Sequence, residues 1–246
     1  MNHTYLMDMD DLTKCVRRFE TQDNPNGIGD LVTDPSGNDV AAILGIADER
    51  IMIWRNGTLM ARTYQRYDTG ISFLALNSTG ELLAKASADG KYIRVFKLQA
   101  KEEIKRFYRG RHKAVITGIT FNHDSSCIAV TSDTETIHFF PVPEQFKWEN
   151  NLIQSTMDES VKQEEVNEST PEDLTEMVPI PTMYNGEKSA SKFRSPGSKE
   201  KLAFVTNDGY VLCVRYDGTL EAGKFVEGEI TQDEIEPQPT FSWAPE

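Results

Sequence analysis

Seven consecutive residues near the middle of the chain, Phe107-Tyr-Arg-Gly-Arg-His-Lys113, carry side chains suited to holding phosphate groups. A guanidinium offers a planar fork of N–H donors that matches two phosphate oxygens at once, and a lysine adds a point charge. Residues 97–113 hold seven Lys or Arg against two Glu, the most basic part of a 246-residue chain whose formal charge is −13. A solvated basic loop between strands would have the same composition, so the run alone decides nothing. Enzyme chemistry offers no rival reading, since there is no GxGxxG, Walker loop, HExxH or GxSxG. The four histidines, His3, His112, His123 and His138, are scattered and form no paired metal spacing. No catalytic residue, metal or cofactor is expected.

The elements that must position this run belong to a repeat. Three short strands end in an aromatic residue: Arg50-Ile-Met-Ile-Trp54, Tyr92-Ile-Arg-Val-Phe96 and Thr136-Ile-His-Phe-Phe140. Their last residues are 42 and then 44 positions apart. Each follows another strand-like run: Val40–Leu44, Leu82–Ser87 and Cys127–Thr131. Turn signals precede those runs at Pro35-Ser-Gly37, Ser78-Thr-Gly80 and His123-Asp-Ser125, and earlier strands stand at Ile71–Leu76 and Ile116–Phe121. Strand, turn, strand, turn, strand at this period is the pattern of a WD-type β-propeller blade. An all-β sandwich also gives evenly spaced hairpins, but has no reason to repeat residue types at a fixed period. A further unit follows residue 200: Leu202–Val205, a turn at Asn207-Asp-Gly209, Tyr210–Tyr216 and a turn at Asp217-Gly218. The expected fold is therefore all-β, with four-stranded antiparallel blades at about 28–66, 69–110, 115–195 and 200–228 in one domain spanning 1–246. Four blades is the bottom of the range for a closed ring, so an incomplete ring is expected.

Charge separates the periodic part from the rest. Residues 141–180 carry ten acids and two lysines, and residues 221–246 carry seven acids and one lysine. The remainder is close to neutral, which argues against a nucleic-acid partner. The segment 155–178 is too polar to bury a core and is expected to be disordered within a long acidic loop, 141–185; the acidic tail 232–246 is expected to be loose. Within that loop Phe146, Trp148, Leu152 and Ile153 can pack locally or meet a partner. Three distant cysteines, Cys15, Cys127 and Cys213, make no disulfide framework, and no run approaches the roughly 20 apolar residues of a membrane span. A soluble intracellular protein is expected.

Ile93-Arg-Val-Phe96, Phe107-Tyr-Arg-Gly110 and Thr136-Ile-His-Phe-Phe140 together resemble the heart of the PROPPIN family, WD-repeat proteins that interact with phosphoinositides. Phe121-Asn-His-Asp-Ser-Ser126 is similar to its shorter WIPI-like branch. Tyr5-Leu-Met-Asp-Met9 and Glu20–Gly27 resemble the end of the family's third blade and its link to the fourth. The resemblance covers most of 5–140, more loosely 186–230, and implies a seven-bladed family of which this chain lacks the first two blades and most of the third.

The resemblance also implies site residues. Family members carry Phe-Arg-Arg-Gly, and the two arginines serve separate headgroup sites. The second is kept as Arg109, which would act with Ser132, Thr136 and His138, with Lys113 and the extra cation Arg111 beside it. The first is replaced by Tyr108; on that side Ser87 and Arg94 match, while Lys85 and Lys91 stand at expected hydroxyl positions. That weaker second site is assigned Ser87, Arg94 and Lys91. The family's membrane-dipping loop corresponds to the acidic loop here, which an anionic surface should repel. The implied function is binding of phosphatidylinositol 3-phosphate or 3,5-bisphosphate by a cytoplasmic protein peripheral to preautophagosomal or endosomal membranes. It would act as an autophagy adaptor that meets lipid-transfer or conjugation factors. A WD-type scaffold that has lost lipid binding is the alternative.

Overall fold

The structure, a computed structural model, describes residues 2–46, 51–61, 70–142, 187–189, 191–194, 201–205, 210–216, 218–226 and 229–232. The acidic loop and tail lie almost wholly outside the described residues. Every described element is a β-strand. A hairpin of β1 (His3–Met7) and β2 (Cys15–Glu20) comes first. The first full sheet runs β3 (Gly29–Thr33), β4 (Asp39–Leu44), β5 (Ile51–Arg55), β6 (Thr58–Ala61) in spatial order. The second is β7 (Ile71–Leu76), β8 (Leu82–Ser87), β9 (Tyr92–Lys97), β10 (Glu102–Tyr108), with the two-residue β14 (Glu187–Lys188) parallel on its outer edge. The third is β11 (Ile116–Phe121), β12 (Cys127–Ser132), β13 (Thr136–Pro141), β15 (Ser191–Arg194). The fourth is β16 (Lys201–Val205), β17 (Tyr210–Arg215), β18 (Leu220–Val226), β19 (Glu229–Gln232). Apart from β14 all pairing is antiparallel. The sheets stack in chain order as WD-type blades, and among the described residues the ring is not closed.

Stacking explains the composition of the strands. A blade in mid-stack is covered on both faces, so its inner strands read as continuous apolar runs, as in Val40–Leu44 and Ile51–Trp54. Alternate residues then serve opposite seams. From β8 and β9, Leu83 and Phe96 pack toward the first sheet with Val40, Ala42 and Ile53. Ala84, Ala86, Ile93 and Val95 pack toward the third sheet with Ile128, Val130 and Phe140. Ala129, Ile137 and Phe139 of the third sheet meet Ala203, Val211 and Cys213 of the fourth. The hairpin lays Phe19 and Leu6 on the outer face of the first sheet, against Ala41, Ile43, Met52 and Trp54.

The first turn of each of the first three sheets is built around an Asx side chain at a recurring position. Asp34 Oδ1 accepts from Ser36 N and Asn38 N, Asn77 Oδ1 from Glu81 N and Leu82 N, and Asn122 Oδ1 from Cys127 N. Such side chains replace backbone partners in tight turns. The same turns tie sheets together: Arg55 Nη2 donates to Gly80 O at 3.0 Å, and Asn77 Nδ2 to Ser125 Oγ at 3.0 Å. Cation–carbonyl and Asx links of this kind fix the register between seams that apolar packing alone would leave free to slide.

Candidate functional site: two seams on either side of the second blade

The motif run is half strand and half loop. Phe107 and Tyr108 end β10, a strand the basic composition of 97–113 concealed, and Arg109 opens the loop to β11. Phe107 is fully buried and stacks on Phe140 of the next blade with ring centroids 4.7 Å apart. This pair fixes where the chain leaves the sheet. Because neighbours on a strand point to opposite faces, Tyr108 turns toward the first sheet, where its ring lies 5.3 Å from that of Tyr92. Arg109 follows on the side of the third sheet.

Arg109 is 8% exposed and held by backbone groups. Its Nε donates to Gly90 O at 2.5 Å and its Nη2 to His112 O at 2.7 Å; its own N donates to Lys91 O at 2.7 Å. Ala114 N donates to Asp89 O at 3.2 Å, so the loop lies on the turn 89–91. That approach requires a glycine: at Gly90, where φ is +65°, an added Cβ would stand 2.1 Å from Ala114 O. Burial lowers the Arg109 guanidinium from its usual value, with Asp133 and Asp89 acting in the opposite sense; an arginine remains charged regardless.

On the third sheet Ser132, Thr136 and His138 share the face that carries Val130 and Phe140, and it meets the second blade. Ser132 is fully buried, with Oγ 2.9 Å from Thr134 Oγ1. Thr136 is half-buried. His138 is buried and its ring stacks near Phe140 at 6.1 Å; Nδ1 lies 3.3 Å from Ser189 Oγ. Burial, then the charges of Arg109 and Lys192, push His138 down to about 4, so it is neutral at pH 7. Arg109, Ser132, Thr136 and His138 thus meet in one seam. Lys113 and Arg111 stand exposed on the loop at its mouth. Ser189, returning beyond the long acidic segment, was invisible to any local pattern.

The weaker site faces the other way. Ser87 is buried; its Oγ donates to Asp89 Oδ1 at 2.7 Å and accepts from Tyr92 N. Lys91 is half-buried with Nζ 3.7 Å from Asp89 Oδ2. Arg94 is buried, with Nη1 3.6 Å from Glu103 Oε2. Cross-strand register puts Lys85, Arg94 and Arg106 in one row, and Arg106 Nε donates to Glu103 Oε1 at 2.7 Å. Lys85 is 1% exposed and its Nζ lies 5.7 Å from the centroid of the Phe96 ring. Arg106 is the member that motif reading missed, because only the pairing of β9 with β10 aligns it.

Among the described residues no group of His, Cys, Asp and Glu could hold a metal ion, and no helix is long and apolar enough to cross a membrane. Comparison with known proteins gives a consistent placement. Autophagy-related protein 18 of Mycosarcoma maydis is 50% identical over 76 residues, 31% of this chain and 17% of that protein. WD repeat domain phosphoinositide-interacting protein 1 of Xenopus laevis is 29% identical over 138 residues, 55% of this chain and 32% of that protein. The solved structure of Kluyvelomyces marxianus Hsv2 superposes with a TM-score of 0.63 at 17% identity, covering 95% of this chain and 65% of that one. A solved complex of KlAtg21 with the coiled-coil of AgAtg16 gives 0.64 at 16%, covering 94% and 63%. At these identities the solved structures establish the fold, and the chain spans less than two thirds of each relative's length. The PROPPIN family model matches residues 2–158. With that match over more than half its length and a stack of WD-type blades to go with it, the chain belongs to the PROPPIN family.

Proposed function

We propose that this chain binds phosphoinositides, phosphatidylinositol 3-phosphate or 3,5-bisphosphate, as a peripheral membrane protein and adaptor in autophagy. It is read as a binding protein and not an enzyme. The observation that carries the reading is the convergence of Arg109, Ser132, Thr136 and His138 in the seam between the second and third sheets. A guanidinium, two hydroxyls and a neutral imidazole form a donor-rich set, the complement of a phosphate monoester. Lys113 and Arg111 at the mouth would add long-range attraction to an anionic surface. The name of the Xenopus relative and its membership of the same family support the ligand class. By analogy with the KlAtg21 complex, a coiled-coil autophagy factor is the protein partner to test first. The cytoplasmic face of preautophagosomal or endosomal membranes is the matching location. Nucleic acid is not a proposed partner.

A second reading has its own observation. Two donors of Arg109 are already spent on backbone carbonyls, and Tyr108 occupies the other motif position against Tyr92. A protein-docking scaffold that has lost lipid binding would look the same. Co-sedimentation with liposomes containing phosphatidylinositol 3-phosphate, against liposomes without it, separates the two. Arg109→Ala should weaken lipid binding roughly 10- to 100-fold, the loss of about 1.5–3 kcal/mol expected for a charged hydrogen bond. Arg109→Lys should restore only part of it, because an ammonium cannot form the fork. A folded wild-type chain that binds neither liposome would give the scaffold reading the field.

A further inference from the structure

One segment of the chain crosses the mouth of the seam that holds Arg109. β14 pairs with the outer edge of β10, where Lys188 stands opposite Tyr108, and β15 pairs with the outer edge of β13, where Lys192 stands opposite His138. Between these two strands Ser189 Oγ lies 3.3 Å from His138 Nδ1. The second sheet is thus joined to the third along the rim, where the seam meets water. Residues directly opposite on paired strands share a face, so Lys192 lies on the face of β13 that His138 shares with Phe140. Lys192 is exposed where Arg109 and His138 are buried, and its charge acts on the His138 ring together with that of Arg109. The site therefore draws one cation from each blade. Arg109 comes from the loop after β10, and Lys192 from the outermost strand of the third sheet.

We infer that Lys192 is a specificity-determining residue of this site, answering a second phosphate and so favouring a bisphosphorylated inositol headgroup over a monophosphorylated one. The inference rests on the phosphoinositide reading given above. Arg109, with Ser132, Thr136 and His138, forms a donor set for one phosphate, and two of the Arg109 donors are already given to carbonyls. A ring held there by one phosphate presents its second toward the rim, the side from which Lys192 enters. An ammonium on a flexible stem suits that task, because its three donors rotate to meet an oxygen already placed by other contacts. Two acids act on Arg109 from the turns around it, and both have partners there. Asp89 accepts from Ser87 Oγ and faces Lys91, and Asp133 accepts from Val115 N. No motif pointed to Lys192, because only the pairing of β15 with β13 brings it to His138.

Co-sedimentation of the full chain tests this with three liposomes of matched charge, bearing phosphatidylinositol 3,5-bisphosphate, phosphatidylinositol 3-phosphate, or phosphatidylserine alone. The wild-type chain should bind the bisphosphate tightest. Lys192→Ala should cost about 10-fold on the bisphosphate, the loss of one charged contact, and at most about 2-fold on the monophosphate. Lys192→Arg should keep the preference, since it keeps the charge. Lys192→Gln repeats the measurement should the alanine variant lose its wild-type circular dichroism. A wild-type chain that binds phosphoinositides without preferring the bisphosphate overturns the inference. So does a folded Lys192→Ala chain whose losses on the two phosphoinositides are equal or absent. A parallel loss on phosphatidylserine also overturns it, since Lys192 would then serve only as general surface charge. In all three cases the wild-type chain still binds phosphoinositide, and the reading beneath the inference survives. Wild-type binding to neither phosphoinositide above phosphatidylserine would sink that reading and the inference together.

Discussion

The two seams flanking the second blade start from the same strand yet solve opposite electrostatic problems. Toward the first sheet, Lys85, Arg94 and Arg106 stand in a row, and Glu103 answers two of them at 3.6 and 2.7 Å. That seam carries its own counter-charge. Toward the third sheet, Arg109 meets backbone carbonyls and a neutral imidazole, with Asp89 and Asp133 acting on it only through space. A single step along the chain, Tyr108 to Arg109, assigns one residue to each side. The lesson is that clustered cations alone do not make an anion site. What matters is whether the protein has already supplied the anion.

The largest effect should come from the residue that builds the open seam's backbone cradle. Gly90→Ala puts a Cβ against Ala114 O at a positive φ, so both the turn and the loop must move. Thermal or denaturant unfolding should show a loss of about 4 kcal/mol, with lipid binding lost alongside. A fully stable Gly90→Ala chain would mean that the loop does not rest on this turn. In the closed seam the corresponding key is Glu103. Glu103→Gln keeps the shape but leaves Arg94 and Arg106 facing each other, at a cost of about 3 kcal/mol. Added sulfate or phosphate should recover part of that loss by taking the carboxylate's place. Indifference of the variant to those anions would sink the view that this seam is self-neutralised.

Acid should separate the seams next. His138 stands at about 4 in the folded chain against 6.5 unperturbed, so the unfolded chain takes the proton first. Its contribution is complete above about pH 6.5 and is lost as pH falls from there toward 4, amounting to about 2 kcal/mol by pH 5. His138→Gln should flatten this part of the stability profile, read by urea unfolding at pH 7 and pH 5. An unchanged slope would place the titration elsewhere.

Sequence patterns revealed the inner strands and concealed the outer ones. Val40–Leu44, Leu82–Ser87 and Cys127–Thr131 are legible because both faces are covered, which leaves an unmistakable apolar run. β2, with Cys15-Val-Arg-Arg-Phe-Glu20, and β10, with Glu102-Glu-Ile-Lys-Arg-Phe-Tyr108, sit at the rim, where charged side chains reach water and mask the alternation. β15 closes the third sheet from beyond the acidic segment, so no local window contains the pairing. The site divides the same way. Arg109 and His138 could be named from a motif, whereas Gly90 O, His112 O, Arg106 and Ser189 become partners only through register and loop path.

The smallest and most discriminating change is Tyr108→Arg, which gives the closed seam the cation that its position in the motif lacks. Tyr108 gives up a tilted ring contact with Tyr92 at 5.3 Å, a loss of about 0.5–1 kcal/mol. The new guanidinium shares a face with Arg106, two residues earlier on β10, and with Lys85 and Arg94 across the sheet. Glu103 is already engaged with two of these cations, so the added charge joins a row of three like charges. A phosphoinositide headgroup reaching Ser87 and Lys91 would answer it through a bidentate fork. Affinity for liposomes bearing phosphatidylinositol 3-phosphate should therefore rise about 3- to 10-fold, and the gain should shrink as salt is raised. In an Arg109→Ala background the same substitution should restore binding in part, because the two seams act separately. Equal affinity in both backgrounds with and without the new arginine would show that the first seam is shut by its own ion pairs and packing, and that the open seam alone meets the membrane.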